Sequence, residues 1–419
     1  MLKPAQEANP LIHIDQLQAG MFVSLDLSWM DHPFLTNSFL IKDEKQLATL
    51  REMGLRMISF DPARSTTQAL PLESEPTTPE IPKTNGENQL LMDEKRARGG
   101  RMTMHRDHIQ KCEKSYVESV ASVKNVLSDI LRNPGLAVKN ANRISSELVS
   151  TFTDDRGATI LMATGLKADE ITYQHSLNVM ILTMILCKGL NVKREIMEAA
   201  GVGALMHDVG KSNMSQTVLR NTQRNRVEEN LYRKHCEFGS DLVGSFLMPG
   251  VRAAIEQHHE NFDGSGFPKG LQGNQINLIA RAVAIANRYD NLCNPIKIID
   301  AMSPAEAVSS MYSRESKRFD MAMLAVFIKE LGVYPPGSFV TLSNGSLAMV
   351  ISATPGQSLK PTVMVYEPGI PRKDALVVNL VESLDVRIEN VIKPSSLELD
   401  VLTYLNPRMR LSYHAEKKV

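Results

Sequence analysis

Five of the ten histidines of this 419-residue chain lie between residues 175 and 259, where two doublets of metal-ligating residue types also occur. His207 precedes Asp208 in GALMHDVGK, and His258 precedes His259 in IEQHHENFDGSGFPKGL. A single histidine is most often a hydrogen-bonded structural residue. Imidazoles grouped with a carboxylate, however, form a ligand set that suits iron, manganese or zinc. The grouping therefore predicts a metal site.

The two doublets suggest more than one ion. Neighbouring residues on a helix point about 100° apart, so we expect His258 and His259 to face different ions. The Asp208 carboxylate could bridge two ions about 3.5–4 Å apart, a pair that activates water and holds a phosphoryl oxygen. Lys211 follows as a positive charge that could bind a phosphate, or as a solvated lysine.

Helical patterning dominates residues 92–332, which must position these side chains. A hydrophobic segment leads to HDVG, where we expect the helix to end at Gly210. Further along, Ser303 is the predicted N-cap of a helix that has Pro304 at its first position and Glu306 three residues after the cap.

The flanking segments differ in composition from this helical part. Residues 1–61 mix short apolar runs with one amphipathic segment, which predicts a small α+β domain. Residues 62–91 are rich in Pro, Thr, Ser and Glu and are predicted to be a disordered linker. Residues 333–419 are predicted to be β-rich, with a hairpin around Asn344 and Gly345. The predicted fold class is mainly α.

Charge and cysteine content exclude several classes of protein. Lys plus Arg and Asp plus Glu both number 47, which argues against a general binder of DNA or of membrane surfaces. The four cysteines form no CxxC motif and indicate a reducing compartment. The first twenty residues contain no apolar signal core, so we expect a cytoplasmic protein without membrane insertion.

Three motifs resemble those of a known family. HDVGK, HCEFG and HHENFDGSGFPKGL are similar to motifs of the HD-GYP subgroup of the HD phosphohydrolase superfamily, whose members are metal-dependent phosphodiesterases that cleave cyclic di-GMP. The segment IHIDQLQAGMFVSLDLSWMDHPF also resembles a small domain that often precedes HD-GYP domains. The resemblance implies an HD-type helical bundle and two divalent metal ions, iron or manganese.

The resemblance also implies roles for individual residues. The implied metal ligands are His175, His207, Asp208, His235, His258, His259 and Asn287. The implied catalytic residues are Asp208 and Lys211. The implied substrate-binding residues are Lys211, Gly264, Gly266, Phe267 and Pro268, with Gly-Phe-Pro in place of Gly-Tyr-Pro. Glu260 or Asp263 could hold the ligand imidazoles through hydrogen bonds.

The chain departs from the family at several positions. Asn287 replaces an aspartate, and an amide oxygen coordinates a metal more weakly than a carboxylate. Ile171 stands where some members have a glutamate ligand for a third metal, which favours two metals. A Lys-Pro-Gly segment is absent and two expected arginines are lost at residues 296–299, so the basic contact with substrate is left open among Arg220, Arg224 and Arg226.

The implied function is hydrolysis of cyclic di-GMP to linear pGpG, to GMP, or to both. Asn287 and the lost arginines favour an alternative, a catalytically degenerate protein that acts as a cyclic di-GMP receptor. A helical scaffold with structural histidines is a third interpretation. Besides cyclic di-GMP, the expected partners are signalling proteins such as diguanylate cyclases and a second copy of the chain. The roles of the N-terminal domain and the C-terminal region stay open.

Overall fold

The structure of this protein is a computed structural model. It describes residues 9–71, 116–152, 171–295 and 300–405, except for residues 26, 28–31, 33, 35, 354–356, 373–374 and 384–385. Most of the predicted linker and the segment 296–299 lie outside the described residues. The boundaries predicted for the domains therefore stay predictions, except where the described residues bear on them.

The N-terminal unit is a four-stranded antiparallel sheet with one helix. Its strands are β1 (Leu11–His13), β2 (Phe22–Ser24), β3 (Ser38–Leu40) and β4 (Met57–Asp61), in the order β1-β4-β2-β3. Helix α1 (Glu44–Glu52) begins after Asp43, whose carboxylate accepts a hydrogen bond from the amide of Gln46. The helix buries Leu47 and Leu50 in the small core of this unit.

The first residues of the predicted linker belong to this unit. The amide of Thr66 donates to the Gly20 carbonyl (2.7 Å), and the amide of Leu70 donates to the Gln16 carbonyl (2.9 Å). These contacts place residues 62–71 against the loop that precedes β2, so the predicted start of the linker at residue 62 is corrected. Because the segment is held by hydrogen bonds to main-chain carbonyls, its polar composition does not reveal it.

The middle region contains eleven described α-helices, most of which pack around one apolar core. They are α2 (116–129), α3 (Pro134–Phe152), α4 (Ile171–Gly189), α5 (Arg194–Met206), α6 (Gln216–Arg220), α7 (Arg226–Arg233), α8 (His235–Val243), α9 (Pro249–Gln257), α10 (Leu278–Cys293), α11 (Pro304–Ser313) and α12 (Met321–Leu331). The mainly α fold class is confirmed. The cap of α11 is also as predicted, since the Ser303 hydroxyl accepts from the Glu306 amide and the Glu306 carboxylate from the Ser303 amide.

Helix α4 is the central helix of this bundle. It is apolar around most of its circumference and buries Leu177, Met180, Ile181 and Leu182, as expected for a helix with neighbours on all sides. Helices α3, α5, α10 and α12 share its core cluster. Among the described residues, no helix is both long and apolar enough to cross a membrane.

The C-terminal unit is a five-stranded antiparallel sheet. Its strands are β5 (Phe339–Leu342), β6 (Leu347–Ser352), β7 (Thr362–Val365), β8 (Val377–Asn379) and β9 (Ile388–Ile392), in the order β8-β7-β6-β5-β9, and helix α13 (Leu399–Leu405) packs on it. The predicted hairpin joins β5 to β6. Its Gly345 has a φ of +79°, a backbone conformation that side chains disfavour.

The N-terminal and C-terminal sheets contact each other through the β5–β6 turn. The guanidinium of Arg64 lies 3.6 Å from the centroid of the Phe22 ring and donates through Nη2 to the Gly345 carbonyl (2.9 Å). The amide of Asn37 donates to Oε1 of Glu367 (2.9 Å). The N-terminal and C-terminal units are therefore joined by directional contacts.

We expect Arg64→Ala to lower the free energy of unfolding of the flanking sheets by about 1 kcal/mol, since it removes one hydrogen bond and one exposed cation–π contact. The test is urea unfolding of the full chain, with Arg56→Ala, a change at another exposed arginine of the same unit, as the control. Equal midpoints for both variants would contradict the prediction.

Candidate metal centre

The predicted ligands lie at or near helix ends that converge in the bundle. His175 is in the second turn of α4, His207 directly follows α5, and His235 is the first residue of α8. His258 directly follows α9. His207, His235 and His258 are buried, and the Asp208 carboxylate is 9% exposed.

Three of these imidazoles donate a hydrogen bond to the carbonyl three residues earlier. The Nδ1 atoms of His207, His235 and His258 lie 2.7, 2.6 and 2.8 Å from the carbonyl oxygens of Ala204, Tyr232 and Ile255, in that order. Each carbonyl is one of the last four of its helix, which accept no hydrogen bond from an amide within the helix. A carbonyl can only accept, so Nδ1 carries the hydrogen and Nε2 carries the lone pair.

A carboxylate fixes the fourth imidazole in the same way. Nδ1 of His175 lies 2.6 Å from Oδ2 of Asp290, a residue of α10 that is 1% exposed. Nδ2 of Asn178 and Nδ2 of Asn294 donate to the other oxygen, Oδ1, over 2.9 and 2.8 Å. His175 therefore also presents the Nε2 lone pair to the centre.

These lone pairs face each other in two pairs. Nε2 of His175 is 3.3 Å from Nε2 of His207, and Nε2 of His235 is 3.2 Å from Nε2 of His258. With all four Nδ1 atoms protonated, neither pair has a hydrogen to share. Facing lone pairs repel, and a cation that accepts both of them removes the repulsion. The arrangement therefore fits bound metal ions.

Asp208 lies between the two imidazole pairs. Its Oδ2 atom is 3.3 Å from Nε2 of His207 and 3.7 Å from Nε2 of His175. Its Oδ1 atom is 3.4 Å from Nε2 of His235 and 3.6 Å from Nε2 of His258. Each carboxylate oxygen thus serves one pair, which is the position of a carboxylate that bridges two ions.

The ligand atoms form two groups that share Asp208. One group is His175, His207 and Asp208, and the other is Asp208, His235, His258 and His259, with the atoms of each group within 4.8 Å of one another. Within the described part of the chain, two buried atoms of the second group, Oδ1 of Asp208 and Nε2 of His259, have no hydrogen-bond partner. A divalent ion with a mixed nitrogen and oxygen shell fits these atoms.

The structure places His258 and His259 in the same ligand group, whereas the sequence led us to expect that they face different ions. Their ring centroids are only 4.2 Å apart. Helix α9 ends at Gln257, and His258 has ψ of −9°, so the chain turns out of the helix between the two histidines. The angle of about 100° between neighbouring side chains holds only inside a helix.

Burial favours the neutral form of three of the imidazoles, and metal binding requires a neutral imidazole. It lowers the pKa of His207 to about 4 and that of His235 to about 3, and it holds the pKa of His259 well below its usual range. Burial also raises the pKa of the Asp208 carboxyl, but Lys211 and His207 outweigh this effect and hold it well below its usual value. Asp208 is therefore an anion beside the neutral imidazoles of His207 and His235.

Lys211 supplies the compensating charge. Its Nζ atom lies 2.5 Å from Oδ2 of Asp208, and it sits 5.4 Å from the centroid of the Tyr232 ring. The Lys211 side chain is 26% exposed, so it lies at the edge of the centre and not inside it. The structure thus places Lys211 beside the candidate ligands, and its contact with a phosphate stays a prediction.

The sequence suggests that a helix ends at Gly210, but in the structure Gly210 is a close packing contact. Helix α5 ends at Met206, and the chain continues into a short 3-10 helix, Val209–Asn213. A Cβ atom on Gly210 would lie 1.9 Å from the His235 carbonyl oxygen. The turn that contains Asp208 therefore rests directly on the start of α8.

The loop after His259 packs on the ligand segment. The Phe267 ring stacks on the His259 ring, with centroids 4.6 Å apart and planes at 23°. A Cβ atom on Gly266 would lie 2.2 Å from the Asn261 amide nitrogen, and Gly264 has a φ of +81°, so both positions require glycine. Pro268 follows, and the loop forms a wall beside the second ligand group.

The acids expected to orient the imidazoles have another role. Glu260, which is 2% exposed, accepts hydrogen bonds from the amides of Lys269 (2.7 Å) and Leu271 (2.9 Å). Asp263 accepts from the amide and hydroxyl of Ser265. Both carboxylates therefore hold the loop, and the imidazoles are oriented by backbone carbonyls and by Asp290, which sequence reasoning missed.

Asn287 is buried on α10 at 5% exposure, three residues before Asp290. Its Oδ1 atom accepts a hydrogen bond from Nδ2 of Asn291 (2.6 Å). The amide oxygen thus already has a donor, and its role as a ligand stays a prediction. Arg224, one of three arginines considered for substrate, donates to the carbonyls of Val218 (2.9 Å) and Leu219 (3.3 Å).

Comparison with known families agrees with this geometry. The sequence matches the HD domain family over residues 127–323 and a domain of unknown function, DUF3391, over residues 11–141. We refer to residues 127–323 as the HD domain, after the family that they match. The resemblance drawn from the sequence motifs is confirmed, including the small domain that precedes the HD domain.

This chain has several named relatives. It is 26% identical to the cyclic di-GMP phosphodiesterase PA4108 of Pseudomonas aeruginosa over 367 residues, which cover 85% of this chain and 84% of the relative. It is 31% identical to the 3'3'-cGAMP-specific phosphodiesterase 1 of Vibrio cholerae, over 42% of each chain. Among solved structures, the HDG"Y"P protein Bd1817 of Bdellovibrio bacteriovorus matches with a TM-score of 0.46 and 16% identity, over 76% of this chain and 97% of that one.

Gly210→Ala is expected to lower the free energy of unfolding of the HD domain by about 1–3 kcal/mol, since its methyl group would clash with the backbone of α8. It should also reduce bound metal after purification, because the Asp208 turn would move away from His235. The measurements are urea unfolding and elemental analysis. Gly250→Ala, where the nearest atom to an added Cβ is 3.8 Å away, is the matched control and should retain the metal.

Proposed function

We propose that the HD domain binds two divalent metal ions and hydrolyses a phosphodiester bond of cyclic di-GMP, giving linear pGpG, GMP or both. The observation that carries the proposal is the pair of facing Nε2 contacts at 3.3 and 3.2 Å, with the Asp208 carboxylate between them. The names of relatives that align over most of the chain, or over the HD domain, support this substrate class.

Each ligand group would hold one ion. His175 and His207 with Oδ2 of Asp208 form one set, and His235, His258 and His259 with Oδ1 form the other. Bound ions of this kind supply an activated water as the nucleophile and positive charge for the phosphoryl oxygens. We propose iron or manganese, which suit imidazole and carboxylate ligands.

Lys211 and a divalent ion would compete for the same atom, Oδ2 of Asp208. The ammonium group is partly exposed and lies on a flexible stem, so it can swing from the carboxylate to a phosphate oxygen. In this proposal Lys211 neutralises Asp208 in the metal-free protein. With metal and substrate present, it stabilises the charge that develops on the phosphate.

The loop wall would hold a nucleobase of the substrate. Phe267 stacks on His259 with one face, and the guanidinium of Arg233 lies 4.9 Å from its ring centroid. Because the guanidinium lies over the Phe267 ring, a purine base would stack on the plane of the guanidinium, whose charge suits the phosphate of the nucleotide. Gly264, Gly266 and Pro268 shape this wall, and Glu260 keeps it in place. We therefore propose Arg233, and not Arg224, as a basic contact for substrate.

The remaining predictions concern the setting of this activity. We propose that the protein works in the cytoplasm, in second-messenger signalling with proteins such as diguanylate cyclases. A second copy of the chain is a further proposed partner. The balanced charge supports action on a small nucleotide in place of DNA.

Metal-stripped protein that is reloaded anaerobically with ferrous iron or manganese should convert cyclic di-GMP to a linear product, and a chelator should abolish the conversion. His207→Ala and Asp208→Ala should each lower kcat by at least about 100-fold, because each removes a ligand of the centre. Product is measured by chromatography. His13→Ala, a change at a histidine of strand β1, is the control and should retain full activity.

The outcomes separate the three interpretations. Stoichiometric metal and tight cyclic di-GMP binding without turnover would contradict the enzyme and favour a receptor. Absence of both bound metal and cyclic di-GMP binding under all loading conditions would contradict both and leave a scaffold with structural histidines.

Asn287→Asp is expected to tighten metal binding by about 10-fold, because a carboxylate attracts a divalent ion more strongly than an amide oxygen does. The dissociation constant is measured by manganese titration. Asn274→Asp adds the same charge at an exposed position before α10, where the carboxylate can still accept from Arg281, and is the control. An unchanged constant in Asn287→Asp would show that position 287 does not contact an ion.

A further inference from the structure

A chain of buried hydrogen bonds leads from helix α2 to the metal ligand His175. The hydroxyl of Tyr116 donates to Oδ1 of Asn178 (2.9 Å), and Nδ2 of Asn178 donates to Oδ1 of Asp290 (2.9 Å). Oδ2 of Asp290 then accepts from Nδ1 of His175 (2.6 Å). Tyr116, Asn178 and Asp290 are each at most 3% exposed, so water does not replace these partners.

The order of donors in this chain admits one arrangement. The Asp290 carboxylate can only accept, so the NH2 group of Asn178 faces it, and the amide oxygen of Asn178 then faces the Tyr116 hydroxyl, which donates. With donors from Asn178 and Asn294 on Oδ1, Asp290 keeps Oδ2 for His175. A reversed Asn178 amide would place its oxygen against the Asp290 carboxylate. The hydroxyl thus holds the Asn178 side chain, which donates to the carboxylate that orients the His175 imidazole.

Tyr116 lies outside the segment that matches the HD domain family. The match to that family begins at residue 127, whereas the match to DUF3391 covers residues 11–141 and includes Tyr116. The ligand itself lies on α4, and the carboxylate that holds it lies on α10. The described network therefore joins a residue of the N-terminal family match to a ligand of the HD domain.

We propose that Tyr116 is a positioning residue for His175, acting through Asn178 and Asp290, and that the segment matched by DUF3391 thereby contributes to the metal centre of the HD domain. This inference rests on the proposed function, since it requires metal at the His175 group. It assigns to the helix before the HD match a role in setting metal affinity.

The inference predicts an effect on one ligand group alone. His207, His235 and His258 are oriented by backbone carbonyls, which a change at Tyr116 does not remove. His175 depends on the side chains of Asp290 and Asn178. Loss of the hydroxyl should therefore weaken the ion held by His175, His207 and Asp208 more than the ion held by the second group.

The experiment is manganese titration of the metal-stripped full chain, read by calorimetry and by the signal of free manganese. Tyr116→Phe should raise one of the two dissociation constants about 3- to 10-fold, and Asp290→Asn about 10- to 100-fold, the range found for residues that orient metal ligands. The other constant should change less than about 2-fold. In the double variant the two effects should not add, because Tyr116 acts through Asp290.

Tyr289→Phe is the matched control, since it removes another buried hydroxyl beside Asp290 that is not in this chain of hydrogen bonds. Two unchanged constants in Tyr116→Phe would overturn the inference while the proposed function stands. Equal weakening of both ions with a lower Tm would also overturn it, because that pattern marks general loss of structure. Wild-type protein that fails to bind two ions would overturn the proposed function and the inference together.

Discussion

The hydrogen on Nδ1 of four ligand imidazoles is the constraint from which the centre follows. Three of these hydrogens go to carbonyls at helix ends and one goes to Asp290, so four Nε2 lone pairs must point inward. The resulting contacts of 3.2 and 3.3 Å are repulsive without a cation. The bundle therefore holds its ligands in an arrangement that metal binding relieves, and bound metal should stabilise the fold.

The helix ends that supply these acceptors are held by packing elsewhere. The apolar helix α4 fixes the bundle from its centre, and Gly210 lets the Asp208 turn rest on α8. Glu260 binds the loop amides at 2.7 and 2.9 Å, which keeps Phe267 against His259. Ordinary core packing and two close backbone contacts thus set the positions of groups that must be placed to within about 0.5 Å for function.

The sequence predicted which residue types form the site better than it predicted where their side chains point. The grouped histidines, the mainly α fold and the cap at Ser303 could be read from composition, motifs and spacing. That His258 and His259 belong to one ligand group could not be read from the sequence, because it depends on α9 ending at Gln257. The acceptors of the imidazoles could not either, since backbone carbonyls carry no sequence signal. Asp290 had a weak sequence signal, because it lies three residues after Asn287, one of the implied ligands.

The two family matches do not divide the chain into independent parts. They share residues 127–141, which span the end of α2 and the start of α3, and α2 belongs to the core cluster of the bundle through Val120, Val123 and Val126. A helix that is counted with the N-terminal family thus packs as part of the HD domain. Because Tyr116 sits on that helix, a small change in its position reaches the metal centre through three hydrogen bonds and no mobile loop. We therefore expect metal binding to respond to changes in the segment before the HD match, because α2 packs in the core of the bundle.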